Sequence, residues 1–254
     1  MLLAILFFSV NLIFAQSEEF RKLENNAFKE GEKLVFDLKY GFITAGTAVM
    51  EIPKIKRISG RDSYHITFNV NTTSAFDLVY KVRDRYETYV DVEGLFPWRF
   101  EQHIREGDFV RDFSAFFDHR TGKAKTSEGS YAIPKYVNDI LSAFYLGRTL
   151  DYTGMKVGQK YHLENFYKDN VYPLDIVYLG KETIDVSAGK FKCIMVQPLI
   201  SEGGIYKGNG NLVIYLTDDQ FKIPVKVKAE IVIGSLDAEL TNYSGLVGYP
   251  TSKI

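Results

Sequence analysis

Between Pro134 and Arg148 the chain reads Pro-Lys-Tyr-Val-Asn-Asp-Ile-Leu-Ser-Ala-Phe-Tyr-Leu-Gly-Arg, the one convincing buried-helix pattern in a sequence that otherwise alternates apolar and polar residues. Asn138 or Asp139 can accept from the first free N–H groups, and Gly147 suits a left-handed closing position. Ile140, Leu141, Phe144, Tyr145 and Leu146 lie between them, so the pattern predicts a helix over about residues 138–146. Apolar side chains on nearly all sides need partners on more than one side. A lone helix of this kind restricts the fold to a mainly β class: an antiparallel, strongly curved sheet or half-barrel wrapped around one central helix.

The rest of the chain supplies the strands. In Lys33–Tyr40 the set Leu34, Phe36, Leu38, Tyr40 alternates with Lys33, Asp37 and Lys39, the period of a half-buried strand. Tyr64, Ile66, Phe68 and Val70 alternate in the same way with His65, Thr67 and Asn69. Arg83–Val92 is followed by a Glu93-Gly94 turn into Phe96–Phe100, a hairpin signature. Further strands are expected at Thr44–Ile55, Phe109–Phe117, Tyr161–Phe166, Val171–Tyr178, Glu182–Val186, Phe191–Pro198, Leu212–Leu216 and Val225–Ile233, the last of them long. Ser17–Gly31 reads as a charged lead-in with a short helical turn, Ser74–Tyr80 as a loop with a turn, and the tail past Leu240 as frayed.

Met1–Ala15 carries no charged side chain, is too short to span a bilayer, and turns polar at Gln16, which is the pattern of a signal peptide cleaved near Ala15. Residues 16–254 then form a single β-rich exported domain. Gly31-Glu32-Lys33 with Gly158-Gln159-Lys160, Ala45-Gly46 with Ala188-Gly189, and Phe96-Pro97 with Ile223-Pro224 suggest a diverged twofold repeat over about 31–120 and 158–240; chance likeness of Gly and Pro turns is the alternative. Only Cys193 is present, so no internal disulfide forms, and no cysteine follows the leader to take a lipid anchor. The expected location is the periplasm or outer envelope, as a soluble protein with no transmembrane segment and not a lipoprotein. A net charge of −1 argues against a nucleic-acid partner.

Signals for chemistry are sparse. His65, His103, His119 and His162 have no second metal-type residue at ligand spacing, so no metal or other cofactor is expected. No nucleophile elbow, zinc-protease helix or phosphate-binding glycine loop occurs, and Cys193 reads as a small apolar residue. Asp218-Asp219 reads as a turn, because successive strand residues face opposite sides. Arg83, Arg85, Arg105 and Arg111 are interspersed with acids, as on a solvated face. The sequence therefore points away from an enzyme; a hydrolase or transferase with a site assembled from distant strands is the alternative.

Gly31-Glu32-Lys33-Leu34, Ala45-Gly46, the run Asn138–Tyr145, Ala188-Gly189-Lys190-Phe191, and Leu216–Asp219 with Ile223-Pro224-Val225 together resemble the exported bacterial family DUF3108, over most of the chain past the leader. The resemblance implies an envelope location and an antiparallel sheet around a helix, and brings no established activity with it. Tyr215 departs from the Trp of many relatives. A weaker likeness, of architecture only, is to the LolA/LolB lipoprotein carriers, whose half-closed barrel encloses an apolar cavity.

A sheet curved around a helix buries its inward side chains, and Leu34, Phe36, Phe68, Tyr86, Phe113, Phe144, Tyr145 and Val227 each contribute about 1.5–3 kcal/mol when tightly packed. Aromatic rings pack poorly on strong curvature. Phe144, Tyr145, Phe36, Phe68 and Tyr86 are therefore candidates to line a site for a lipid or acyl chain, with Arg148 the candidate for an anionic headgroup. A filled core, in an envelope assembly or scaffold partner that binds another envelope protein, is the competing reading. On that reading Arg148 complements the carbonyl end of the helix.

Overall fold

The computed structural model describes residues 19–200, 212–230 and 235–254. The expected leader at Met1–Ala15 lies outside them, as do Ile231 and Ile233 of the expected last strand. Eight strands precede the helix: β1 (Lys33–Tyr40), β2 (Ile43–Ile58), β3 (Arg61–Thr72), β4 (Arg83–Asp91), β5 (Pro97–Glu106), β6 (Phe109–Asp118), β7 (Lys123–Thr126) and β8 (Ser130–Ala132). The helix α1 (Ile140–Arg148) leads into β9 (Lys160–Tyr167), β10 (Asn170–Val186), β11 (Gly189–Ile200), β12 (Leu212–Thr217), β13 (Pro224–Glu230) and β14 (Ser235–Ser244).

These strands form one antiparallel sheet in the order β8-β7-β6-β5-β4-β3-β2-β1-β14-β13-β12-β11-β10-β9. Each half is a meander of neighbours in sequence, and β1 with β14 is the seam between the halves, joining residues as distant as Lys39 and Glu239, whose side chains pair at 2.6 Å. The sheet does not close on itself. Between its two edges runs the segment before α1: the Asn138 N–H donates to the Glu164 carbonyl at 2.9 Å, and the Phe166 N–H donates to the Asn138 carbonyl at 2.7 Å.

Because neighbouring strands alternate in direction, the curved sheet has two unlike rims. At one, the turn rim, lie the connections at 40–43, 72–83, 106–109, 126–130 and 167–170. At the other, the capped rim, lie the lead-in, the end of α1, the β12–β13 turn and the C-terminal tail. Phe20 packs there at 5.3 Å from the Phe96 ring and 5.4 Å from Trp98, and Phe28 meets Tyr145 edge-on at 4.8 Å.

The helix sits inside the curve, with its ends defined by side chains. Asp139 is the N-cap: its Oδ1 accepts from the Leu141 and Ser142 N–H groups at 2.9 and 3.0 Å, while Ser142 Oγ accepts from the Asp139 N–H, a reciprocal cap. Asp139 Oδ2 also accepts from the Thr88 hydroxyl of β4 at 2.7 Å. Gly147 does not take the left-handed position expected of it. The helix runs on to Arg148, and the closing Thr149 keeps right-handed geometry with its hydroxyl on the Leu146 carbonyl at 2.8 Å. What Gly147 supplies is closeness, since a Cβ there would stand 3.3 Å from Ile176 Cδ1 on β10.

Other local expectations give way to long-range pairing. The tail does not fray past Leu240: β14 reaches Ser244 because β1 pairs with it, and the Ile254 N–H donates to the Lys190 carbonyl at 2.8 Å. Val171–Tyr178 and Glu182–Val186 are one strand, β10, in which Gly180 at φ +114° forms a bulge. Among the described residues the lead-in forms no helical turn; Asn25 Oδ1 accepts from the Ala27 and Phe28 N–H groups, both residues are buried, and Phe76–Leu78 makes a short 3₁₀ turn in the β3–β4 connection. Of the matched sequence pairs, Gly31 and Gly158 each precede a first strand and Pro97 and Pro224 each begin a fifth, but Ala45-Gly46 lies within β2 while Ala188-Gly189 makes a hairpin turn.

Arg148 does not reach the interior as a headgroup ligand would require. Its guanidinium is fully buried and bidentate on Glu32, Nη1 to Oε1 at 2.6 Å and Nη2 to Oε2 at 2.8 Å. The remaining donors meet the carbonyls of Ala27 and Phe221 at 3.2 Å and Lys222 at 3.1 Å. Removing one partner of such a pair strands a buried charge, at a cost of about 3–5 kcal/mol, whereas an apolar pair of similar volume is close to neutral. Glu32→Ala is therefore predicted to lose about 3–5 kcal/mol in urea unfolding, with most of it recovered in Glu32→Leu/Arg148→Met. A Glu32→Ala loss below about 1 kcal/mol would show that this pair does not anchor the helix.

Candidate functional site

A helix of nine residues is about 13–14 Å long, whereas a ten-residue strand such as β5 spans roughly 33 Å. Held by Glu32 at the capped rim, α1 cannot fill the interior as far as the turn rim. Among the described residues, the unfilled part includes two adjoining cavities that share Phe68, Ile140 and Leu141.

The larger has a volume of about 260 Å³ and an almost wholly apolar lining. Phe36, Met50, Ile176, Ile214 and Val227 face Ile140, Ala143, Phe144 and Gly147 of the helix across it. Ile140 and Phe144 are half-buried although the helix is enclosed by the sheet, because they face this space instead of packed side chains. Tyr152 closes the end nearest the capped rim, its hydroxyl donating to the Gly147 carbonyl at 3.0 Å. Toward the turn rim the lining includes Leu212, the first residue of β12, and Leu174, which pairs with the last residue of β11.

The second cavity, about 230 Å³, lies between the start of α1 and β3, β4, β5 and β9. Val70, Tyr86, Phe100 and Phe166 line it together with two polar residues, Asp84 and Gln102. Asp84 accepts from the Arg105 N–H at 2.9 Å. Beside it, burial and the Asp84 carboxylate push the Glu106 carboxyl above its usual range.

The expected site residues thus separate into groups. Phe36, Phe68 and Phe144 line the larger cavity, and Phe68 and Tyr86 the smaller. Tyr145 points the other way, against Phe28, with its hydroxyl 3.5 Å from Glu32, where burial raises its pKa well above the ordinary phenol value. Tyr145 and Arg148 therefore belong to the anchor and not to the cavity. Ile176, Leu174, Val196 and Ile214 are wall residues that the sequence pattern marks only as alternating strand positions.

Outside the cavities, the register sets Glu87 opposite Glu101, and these carboxylates with His103 bring ligand atoms within 4.8 Å of one another, a proximity that sequence spacing does not reveal. The carboxylates are already engaged by Arg85, at 2.8 Å from Glu87, and by Arg99, while His103 bonds Asp112 at 2.7 Å. Their charges are balanced by protein groups. Cys193 is fully buried, and burial pushes its thiol up to about 12, so it packs as an apolar residue.

Two buried groups set opposing pH dependences. Burial raises Asp139 to about 6 despite its hydrogen bonds, so the folded state holds this proton more tightly than the unfolded state. Its contribution is full below the unfolded carboxylate value and is lost as pH rises through about 6. Burial lowers His119 to about 4; its Nε2 donates to the Pro97 carbonyl at 2.7 Å, and its contribution is lost as pH falls from about 6.5 to about 4. The stability of the wild type relative to Asp139→Asn is predicted to rise by roughly 2 kcal/mol between pH 7 and pH 4, measured by urea unfolding. An unchanged difference would mean that Asp139 stays ionised in the fold.

Comparison with known proteins places this geometry. The family described as "Protein of unknown function (DUF3108)" matches residues 35–241. No curated protein sequence matches the chain. Among solved structures, a β-barrel-like protein of the domain of unknown function DUF1849 from Brucella abortus superposes with a TM-score of 0.57 at 14% identity, over 86% of this chain and 99% of that one. A Bacteroides fragilis protein with a YmcC-like fold, described as exported, gives a TM-score of 0.37 at 11% identity, over 86% of this chain and 97% of that one. The Brucella likeness shows a shared β-barrel-like fold.

Proposed function

The chain belongs to the DUF3108 family, and for this member we propose a non-catalytic role: exported to the cell envelope, it binds an apolar or single-tailed amphipathic ligand such as an acyl chain between helix and sheet. The carrying observation is the larger cavity, about 260 Å³ of apolar-lined space beside a helix pinned too far away to fill it. An apolar cavity of this kind stays dry and favours apolar guests. With the adjoining 230 Å³ it reaches the size of ordinary ligand pockets, ~300–1,000 Å³. Asp84 and Gln102 give the smaller cavity the polar groups that orient a ligand's head.

The chemistry of the walls supports binding over turnover. Among the described residues, no histidine, cysteine, serine or carboxylate lines the larger cavity, and the one hydroxyl in its lining, on Tyr152, is engaged by the Gly147 carbonyl. The uncharged apolar leader at Met1–Ala15 supports export.

Native mass spectrometry of protein purified gently from its own envelope is expected to show a copurified apolar ligand, and the apo form is expected to take up N-phenylnaphthylamine. Val227→Trp, which fills the cavity without adding charge, and Phe144→Asp, which adds charge to it, are each predicted to weaken dye uptake by about tenfold or more, a loss of about 1.4 kcal/mol. Val227→Trp is expected to keep the wild-type melting temperature. A wild-type protein that emerges bare and takes up no dye would end this reading.

A further inference from the structure

The turn rim carries large exposed apolar residues on successive turns. At the turn rim, the β1–β2 turn presents Phe42 at 107% and Ile43 at 61% exposure, and the β3–β4 connection presents Leu78 at 90% and Val79 at 79%. The β5–β6 turn presents Phe109 at 54%, with Val110 beside it. Isolated exposed apolar residues need no explanation, but large ones on successive turns of one rim do. The turns are also joined to one another. The Thr73 N–H donates to the Ala45 carbonyl at 2.9 Å, the Gly107 N–H donates to the Lys81 carbonyl at 2.8 Å, and a Cβ on Gly107 would lie 3.1 Å from the Tyr80 ring. The connections that carry these apolar tips are therefore neighbours along one crest.

We propose that this crest docks the protein on the surface of a zwitterionic lipid bilayer, with Phe42, Ile43, Leu78, Val79 and Phe109 entering the interface. Two observations choose a bilayer over another protein. The first is continuity: the crest stands at the end of the barrel toward which the cavity walls extend, whereas the other end is stopped by Arg148, Glu32 and Tyr152. A chain passing between bilayer and cavity would then cross no water. This argument rests on the ligand-binding reading above.

The second observation is charge. The ions behind the crest neutralise one another: Lys39 with Glu239 at 2.6 Å, Arg83 with Asp77 at 2.6 Å, Lys226 with Asp237 at 2.8 Å and Arg105 with Asp112 at 3.0 Å. Among the described residues, a rim paired in this way offers no net cationic patch for an anionic surface and no net anionic patch for a basic partner. It complements a surface that is itself neutral overall, where aromatic and aliphatic tips supply the affinity.

The test is flotation with phosphatidylcholine vesicles. The wild type is expected to rise with the vesicles, and Phe42→Asp/Leu78→Asp to remain at the bottom with unchanged circular dichroism and melting temperature. Val157→Asp and Tyr249→Asp replace exposed apolar residues at 69% and 72% exposure toward the capped rim, and are expected to float like the wild type. Wild-type protein that fails to float, or loss of flotation in both controls, would overturn the proposal. So would binding confined to phosphatidylglycerol vesicles and abolished by salt, or a concentration-dependent dimer in sedimentation velocity that the crest substitutions dissolve while flotation is absent. Dye uptake separates this proposal from the cavity reading. Crest variants should take up N-phenylnaphthylamine from solution without floating, and Val227→Trp should float without taking up dye. Flotation by a wild type that binds no dye would leave the docking surface standing and remove the cavity.

Discussion

The Arg148–Glu32 pair decides where the helix stops, and so where the protein is empty. A guanidinium that is bidentate on one carboxylate and bonded to the carbonyls of Ala27, Phe221 and Lys222 ties the lead-in, the start of β1, the end of α1 and the β12–β13 turn to one point. Apolar packing alone is tolerant of a sliding helix, since Leu and Phe find similar contacts a turn away. The planar fork is not tolerant. Desolvation takes back most of the favourable energy of such a pair, so its main effect is to fix position.

The other end of α1 is equally constrained. Asp139 caps the helix and accepts from Thr88 of β4, while Asn138 exchanges backbone bonds with β9. The two ends hold nine residues inside a sheet whose strands reach well beyond them. Ile140 and Phe144 remain half-buried because no side chain can come down to cover them without moving an anchor. The apolar space is a consequence of how the helix is tied, not of poor choice of core residues.

Much of this was legible in the sequence. Period-two alternation marked β1 at the bounds it has, and the pattern around Asp139 marked the one helix. Phe36 and Phe68 were recognisable as inward residues because alternation fixes which face a strand residue takes, and Phe144 because its helix is apolar on nearly all sides. The pattern does not say which strand comes next to which. That is why the chain past Leu240, the end of β14, reads as frayed: its partner β1 lies some two hundred positions earlier, and no local signal joins them. Gly180 looked like a break because a bulge and a turn use the same left-handed glycine. Arg148 looked available because its partner Glu32 sits in a lead-in with no periodicity at all. Glu87 and Glu101 meet only through register.

The contrast between the rims follows from parity. The chain enters β1 from the capped rim, and eight strands, an even number, return it to that rim before α1. Six more from β9 to β14 return it there again. Every described segment that is not a hairpin connection, the lead-in, the end of the helix and the tail, is therefore delivered to the same end, where each adds side chains to the plug. Among the described residues, the opposite end receives only connections between strands. Short turns such as those at 40–43 and 106–109 do not fold back over a mouth, so among the described residues the capped rim is plugged while the turn rim carries turn tips. Placing Phe42, Leu78 and Phe109 on those tips puts apolar surface on the rim that receives neither the lead-in, the helix end nor the tail.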